Sequence, residues 1–259
     1  MLLCRHCGLV FLAGIDRDHR KPYWQEYRYR LDEDGLCAEH EGRNEAVFRW
    51  ITGNLPETED LTLMEVGCNA GFLLKKFKDR GISVSGIEPN EEAVEFARHV
   101  NGIRDIECCM LEDAEGMERS QDVIILIQTF EHLADPLGSL SKVRRLLKED
   151  GLLFVEVPNS YSPTGFYLLQ SKGVRRPSPN HLFIYSSRTL GAFLARAGFS
   201  VRRRSRTLQN IRIVAEADGD GEDLRFESYY RALTYFYTLP IINRAIDVFS
   251  FFKGKLLRG

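Results

Sequence analysis

The stretch LMEVGCNAG, Leu63 to Gly71, decides the fold. The apolar run 61–66 reads as a buried strand, and GCNAG as the tight turn that follows it. Gly71 to Arg80 then reads as a helix with Leu73, Leu74 and Phe77 turned inward. Gly67 and Gly71 permit a sharp turn and close approach of a ligand to the backbone. A helix that opens at Gly71 offers its first free N–H groups to ligand oxygens. The next strand, 82–88, ends on Glu88, 21 residues after Gly67. A carboxylate at that tip can accept both hydroxyls of a ribose. The turn is E-x-G-x-x-x-G, not the G-x-G-x-x-G of dinucleotide enzymes. Glu65, two positions before the first glycine, suits a ligand that carries positive charge and no pyrophosphate.

Strands and helices alternate outward from this turn. A helix is predicted over 91–100, a weaker strand over 104–110 and a very apolar, central strand over 122–128. A helix over 137–147 ends before Asp150-Gly151, and a strand over 152–158 follows. A helix over 188–197, with Gly198 past its end, leads into strands 199–207 and 208–216, read as a hairpin. This order implies an α/β, Rossmann-like, doubly wound fold. Its seven-stranded sheet is mostly parallel, closes on an antiparallel hairpin and carries N- and C-terminal helical extensions. The expected divisions are an extension over 1–58, the α/β domain over 59–216 and an amphipathic tail over 217–259.

Composition narrows the class. At 44% apolar and 28% charged, the 259 residues are globular rather than intrinsically disordered. A net charge of −2 argues against a nucleic-acid partner. The charge is uneven, however: from Val157 to Ala215 there are ten Lys and Arg and no acid. Arg5 and His6 interrupt the N-terminal apolar start, which lacks a basic leader. The longest uncharged apolar run, 232–243, is too short to span a bilayer. The six cysteines do not form a secreted disulfide pattern. The expected location is therefore the cytoplasm, with a membrane-peripheral position open.

Four motifs in order resemble the class I S-adenosylmethionine-dependent methyltransferases. They are LMEVGCNAGFLL, GIEPN (86–90), QTFEHLADP (128–136) and LLKEDGLLFVEVPN (146–159). The segment HLFIYSSRTLGAFLARAGF (181–199) is similar to one in a bacterial subgroup of that family. The resemblance covers roughly 61–215 and implies S-adenosyl-L-methionine as cofactor. It puts Glu65, Gly67, Cys68, Asn69 and Gly71 around the methionine part of that cofactor. It puts Glu88 on the ribose and Pro89 beside the adenine. It sets Leu111, Glu112 and Asp113 along the adenine edge, and Gln128 and Thr129 at the reacting end. Asn69 stands where a glycine is common, and asparagine tolerates left-handed backbone. Gln128 stands where some metal-using relatives carry an acid, so no metal is expected there.

Methyl transfer is an in-line displacement at a sulfonium carbon, so the protein mainly aligns the partners and excludes water. His132 and His181 are the candidate bases for an acceptor that must lose a proton. Each also has a structural reading, as a loop cap and a loop anchor. Lys172, Arg175 and Arg176 in the acid-free segment suggest an anionic small-molecule or glycan acceptor; a solvated basic face is the other reading. Cys4-x-x-Cys7 resembles one knuckle of a small zinc ribbon, and Cys37 and His40 would complete a Cys3His set. An orphan CxxC from a shortened N-terminus is the competing reading. The aromatic tail 224–259 reads as a packing helix, a dimer face or a membrane-surface helix. The expected activity is methyl transfer to O, N or C. A cofactor-binding scaffold without catalysis and a nicotinamide-dependent oxidoreductase remain as alternatives.

Overall fold

A computed structural model of the protein describes residues 2–4, 9–12, 35–58, 60–115, 118–159, 180–207 and 209–218. Lys172, Arg175, Arg176, Cys7 and the tail from 219 onward lie outside the described residues. Cys37 and His40 lie where α1 is described as backbone only. The zinc, tail and basic-loop expectations therefore fall outside the description.

The elements in chain order are β1 (Leu2–Leu3), β2 (Val10–Phe11), α1 (Gly35–Thr52), β3 (Thr62–Val66), α2 (Phe72–Lys78), β4 (Ser83–Ile87), α3 (Glu91–His99) and β5 (Ile106–Glu107). Then come β6 (Gln121–Ile127), α4 (Pro136–Leu146), β7 (Leu147–Pro158), β8 (Phe183–Ile184), α5 (Ser187–Arg196), β9 (Ser200–Arg206) and β10 (Asn210–Glu216). The main sheet runs β5-β4-β3-β6-β7-β10-β9. The first five strands pair in parallel, and β10 pairs antiparallel with both β7 and β9. The expected fold class is the observed one.

Local chemistry places the helix ends. Asn90 accepts from the Ala93 amide at 3.0 Å and caps α3, which begins with Glu91 and Glu92 and ends with Arg98 and His99, as the helix dipole favours. Asp135 caps α4 through the Gly138 amide at 3.0 Å, with Pro136 in the first turn. Ser186 and Thr189 form a reciprocal capping box on α5.

The period-two pattern of the central strands builds a core on each face of the sheet. Met64, Val66, Ile124, Leu126, Leu153 and Val155 pack with α4 and α5 residues such as Val143 and Leu190. Leu63, Val123, Ile125, Leu152 and Phe154 pack with Phe77 of α2 and with Val47, Phe48 and Ile51 of α1. Trp50 of α1 meets Phe154 edge-on at 5.4 Å, and Arg212 lies 5.1 Å over the Trp50 ring. These contacts fix α1 across the sheet.

Three features differ from the sequence reading. The N-terminal extension is not purely helical: β1 and β2 form a small antiparallel sheet with β8. The segment 104–110 yields only the two-residue β5. Lys148 to Gly151, read as a turn before the fifth strand, lies inside the twelve-residue β7. Asp150 takes φ 60° there, and the pairing register with β6 shifts between Gln121 and Val123. The polar tetrapeptide is carried as an irregularity of the strand and not as a break. Among the described residues no helix is long and apolar enough to cross a membrane.

Candidate active site

The chain leaves β3 for β4 on one side and later returns to place β6 on the other. At such a reversal the loops diverge and leave a crevice at the C-terminal strand tips. A cavity of about 340 Å³ lies there. Its walls come from the ends of β3, β4 and β6, from α1, and from the residues just before β8.

The turn after β3 forms one end. Gly67 (φ 72°), Asn69 (φ 53°) and Gly71 (φ 73°) all take left-handed backbone, so Asn69 adopts the conformation that a glycine would supply. A Cβ on Gly67 would stand 2.6 Å from Thr129 Oγ1, which seats the turn directly on the tip of β6. Gly67→Ala combines that clash with backbone strain worth about 1–3 kcal/mol. We expect a melting temperature lowered by several degrees and at least tenfold weaker ligand binding, read by thermal shift and calorimetry.

Glu88, at the tip of β4, is buried. Its Oε2 accepts from the Asn69 amide at 2.9 Å and its Oε1 from the Asn90 amide at 3.0 Å. Each oxygen keeps a further lone pair for ligand hydroxyls. Burial raises its pKa, and the two amides oppose that shift. Glu65 is also buried, and its Oε2 has no hydrogen-bond partner. Burial pushes its carboxyl well above the usual carboxylate range, while the charge of Arg43 pulls it down. A buried acceptor with nothing to accept from is costly and marks a place for a donor or a cation.

The other end is formed by His132 and His181, with Glu131 buried behind them. Glu131 and His132 lie on a one-turn 3-10 helix, Phe130–His132, just past β6. The His132 and His181 rings meet edge to face at 4.8 Å. His132 Nδ1 lies 2.7 Å from the Asn180 carbonyl, so the ring donates there and keeps the Nε2 lone pair. Glu131 is 1% exposed and neither of its oxygens has a hydrogen-bond partner. Its Oε1 lies 3.9 Å from Nε2 of both histidines, too far for a direct bond. Burial pushes the Glu131 carboxyl up to about 8, with Glu156 adding to the shift. Burial brings His181 down to about 4, with the neighbouring His132 adding to it, and lowers His132 as well. At neutral pH the cluster is therefore an uncharged acid beside two uncharged imidazoles.

Among the described residues this is the cluster that could hold a metal ion, its ligand atoms lying within 4.8 Å of one another. The spacing suits an oxygen better. A zinc ion bound at about 2.1 Å would need ligand angles near 140° across the 3.9 Å gaps, far from tetrahedral. An oxygen at about 2.8 Å from Glu131 Oε1 and from either histidine Nε2 would see an angle near 90° between them.

Most of the residues predicted from sequence come together here. Glu65, Gly67, Cys68, Asn69, Glu88, Pro89, Leu111, Gln128, Thr129, His132 and His181 line the cavity. Gly71 does not; it sets the start of α2, and a Cβ on it would meet Ala97 and Ile103. Glu112 and Asp113 do not line it either: their short 3-10 turn buries Leu111 and leaves both acids exposed, while Cys109 and Met110 take their place in the wall. Gln128 (φ 56°) lines the wall, yet its amide donates to Glu156 at 3.2 Å and Asn210 at 3.3 Å. Glu156 in turn holds Arg212 in a buried pair at 2.5 Å. Arg43 and Asn44 of α1 also line the cavity, and the sequence reading missed them.

Comparison with known proteins places this geometry. A family described as "Methyltransferase domain" matches residues 23–203, more than half of the chain. A Neisseria meningitidis protein named ubiquinone biosynthesis O-methyltransferase is 32% identical over 114 residues, covering 41% of this chain and 48% of that one. The chain thus spans about half the length of the curated relatives it matches. The fold is shared with a methyltransferase solved in complex with the Trm112 activator of Haloferax volcanii. There the TM-score is 0.58 at 18% identity, over 72% of this chain and 95% of that one. It is shared too with an Aquifex aeolicus SAM-dependent methyltransferase, with a TM-score of 0.52 at 22% identity over 66% and 89% of the two chains.

Proposed function

The chain belongs to the methyltransferase-domain family, whose cofactor is S-adenosylmethionine, and from that premise we propose that it methylates a hydroxyl oxygen of a small anionic molecule. The observation that carries the reading is one cavity with two unlike ends. At one end lie Glu65, with an unpartnered buried oxygen, and Glu88; at the other lie two neutral imidazoles backed by the buried, neutral acid Glu131.

The residues fit the cofactor. Glu65 has a buried, unpartnered oxygen for the ammonium, and Glu88 has lone pairs for the ribose hydroxyls. Leu111 and Met110 give the base an apolar edge. When bound, the cofactor supplies an electrophilic methyl group on a sulfonium. The protein's part is to hold the acceptor oxygen in line and to take its proton. His132 would take the acceptor's hydroxyl proton at Nε2 while its Nδ1–H stays on the Asn180 carbonyl. The imidazolium so formed would lie 3.9 Å from Glu131, and its charge would pull that raised carboxyl pKa back down. Arg43 supplies the positive charge that suits an anionic acceptor, in keeping with the acid-free segment 157–215. The relatives named for O-methylation favour oxygen over nitrogen or carbon as the methylated atom.

The test is turnover of methyl-labelled S-adenosylmethionine with a panel of anionic phenols and sugar phosphates. We expect label transfer to at least one hydroxyl acceptor. His132→Asn should lower it at least a hundredfold while S-adenosylhomocysteine affinity stays within threefold. Cofactor binding without transfer to any acceptor would favour a scaffold instead.

A further inference from the structure

We infer that strand β2, at the extreme N-terminus, is a positioning element for His181. The inference rests on reading His181 as an acceptor-site residue, and it concerns what holds that residue in place.

His181 reaches the cavity from the short segment 180–184, which belongs to no strand of the main sheet. Two neighbours grip this segment from opposite sides. On the inner side, the Leu182 amide donates to the Glu131 carbonyl at 2.9 Å, and the Asn180 carbonyl meets His132 Nδ1 at 2.7 Å. On the outer side, the Leu182 carbonyl accepts from the Leu12 amide at 2.8 Å. The pairing continues as Phe11 with Phe183 and Val10 with Ile184. Both backbone polar groups of Leu182 are thereby used, one on each side, and the peptide planes that follow His181 are fixed.

Side chains reinforce the grip. Val10 is fully buried and Leu9 nearly so; Leu9 joins the same core as Phe130 and Tyr185. Phe130 stacks on Tyr185 with ring centroids 5.0 Å apart, which ties the 3-10 helix to the residues after β8. The Cys4 amide donates to the Leu9 carbonyl at 2.8 Å and closes the hairpin behind β2. A two-residue strand has little pairing of its own, so β8 depends on β2 for its outer ladder. The N-terminal hairpin is thus the back plate of the acceptor end, although it lies about 170 residues away in sequence.

The test uses the full chain and no acceptor. Leu12→Pro removes the amide donor while the preceding Phe11 is already extended, as proline requires. Leu12→Ala keeps the donor and serves as control. Histidine-labelled protein is titrated by NMR, with His132→Asn and His181→Asn spectra for assignment. The titratable groups facing His181 are Glu131 and His132. In Leu12→Pro we expect the His181 midpoint to rise by at least one pH unit as the ring gains water, and the Leu182 amide to exchange at least tenfold faster. S-adenosylhomocysteine affinity should stay within twofold. Should Leu12→Pro fail to fold, an amide-to-ester replacement at Leu12 made by N-terminal semisynthesis removes the same hydrogen and carries the same expectation. A His181 titration and Leu182 exchange identical to those of Leu12→Ala would overturn the inference. The expected shift here, together with label transfer undiminished by His181→Asn in a separate methyl-label turnover assay, would instead remove the acceptor-site reading on which it rests.

Discussion

Glu88→Ala is expected to weaken S-adenosylhomocysteine binding by at least a hundredfold, to the edge of detection by calorimetry. Two losses add. The ribose hydroxyls lose a carboxylate acceptor, and hydrogen bonds to charged groups are worth about 1.5–3 kcal/mol each. The turn after β3 also loses its tether, because Glu88 holds the Asn69 amide at 2.9 Å while Asn69 sits at φ 53°. Glu88→Gln keeps one carbonyl acceptor, so a drop of about tenfold is expected from it. The alanine protein should still fold, since the two core layers that flank the sheet do not include Glu88. Affinity within threefold of the parent in a folded Glu88→Ala protein would remove the ribose role.

The second large effect is on stability and its dependence on pH. Glu131 titrates near 8 in the folded protein, against 4.5 for an ordinary glutamate. A raised carboxyl pKa means that the folded state holds a proton the unfolded state gives up. Its stabilising contribution is whole below about pH 4.5, falls steadily as pH rises toward 8, and then levels. The total loss is roughly 3–5 kcal/mol, at about 1.4 kcal/mol per pH unit. Glu131→Gln has no such proton, so its melting temperature should lack this slope. Relative to the parent it should gain on the order of 10 °C between pH 5 and pH 9. The slope is the observable, because the buried amide adds a constant offset of its own. Parallel melting profiles for the two proteins across that range would show that Glu131 is not held protonated by the fold.

The end of the cavity at the tips of β3 and β4 was legible in the sequence because it is local. Glu65, the glycines of the turn and Glu88 fall within one strand–turn–helix–strand unit, and the physics of a tight turn selects their types. Asn69 shows the same rule with a substitute: the residue changed and the left-handed backbone stayed. The opposite end was legible only as two isolated histidines. Glu131 reads in sequence as half of a loop cap. Its importance comes from complete burial without a partner, which no spacing announces. Arg43 and Asn44 were missed because α1 carries an ordinary apolar stripe, and its placement over the cavity is decided by Trp50 packing on Phe154 and Arg212. Strand β8 has two residues and no period to detect. Glu112 and Asp113 stand outside the cavity wall because a 3-10 turn rotates successive residues by about 120°, which buries Leu111 and leaves the two acids exposed.

The order of strands has a bearing on how such a protein diversifies. Residues 65–111 supply most of the cavity wall at the tips of β3 and β4, whereas residues within 127–133 and 180–181 supply the wall at the tip of β6 and before β8. Two separate lengths of chain thus meet only across the reversal between β3 and β6. On the proposed reading, exchange of the second length between homologues is expected to change the acceptor while leaving cofactor affinity unchanged. The incoming segment must, however, bring an N-terminal hairpin whose ladder it can complete.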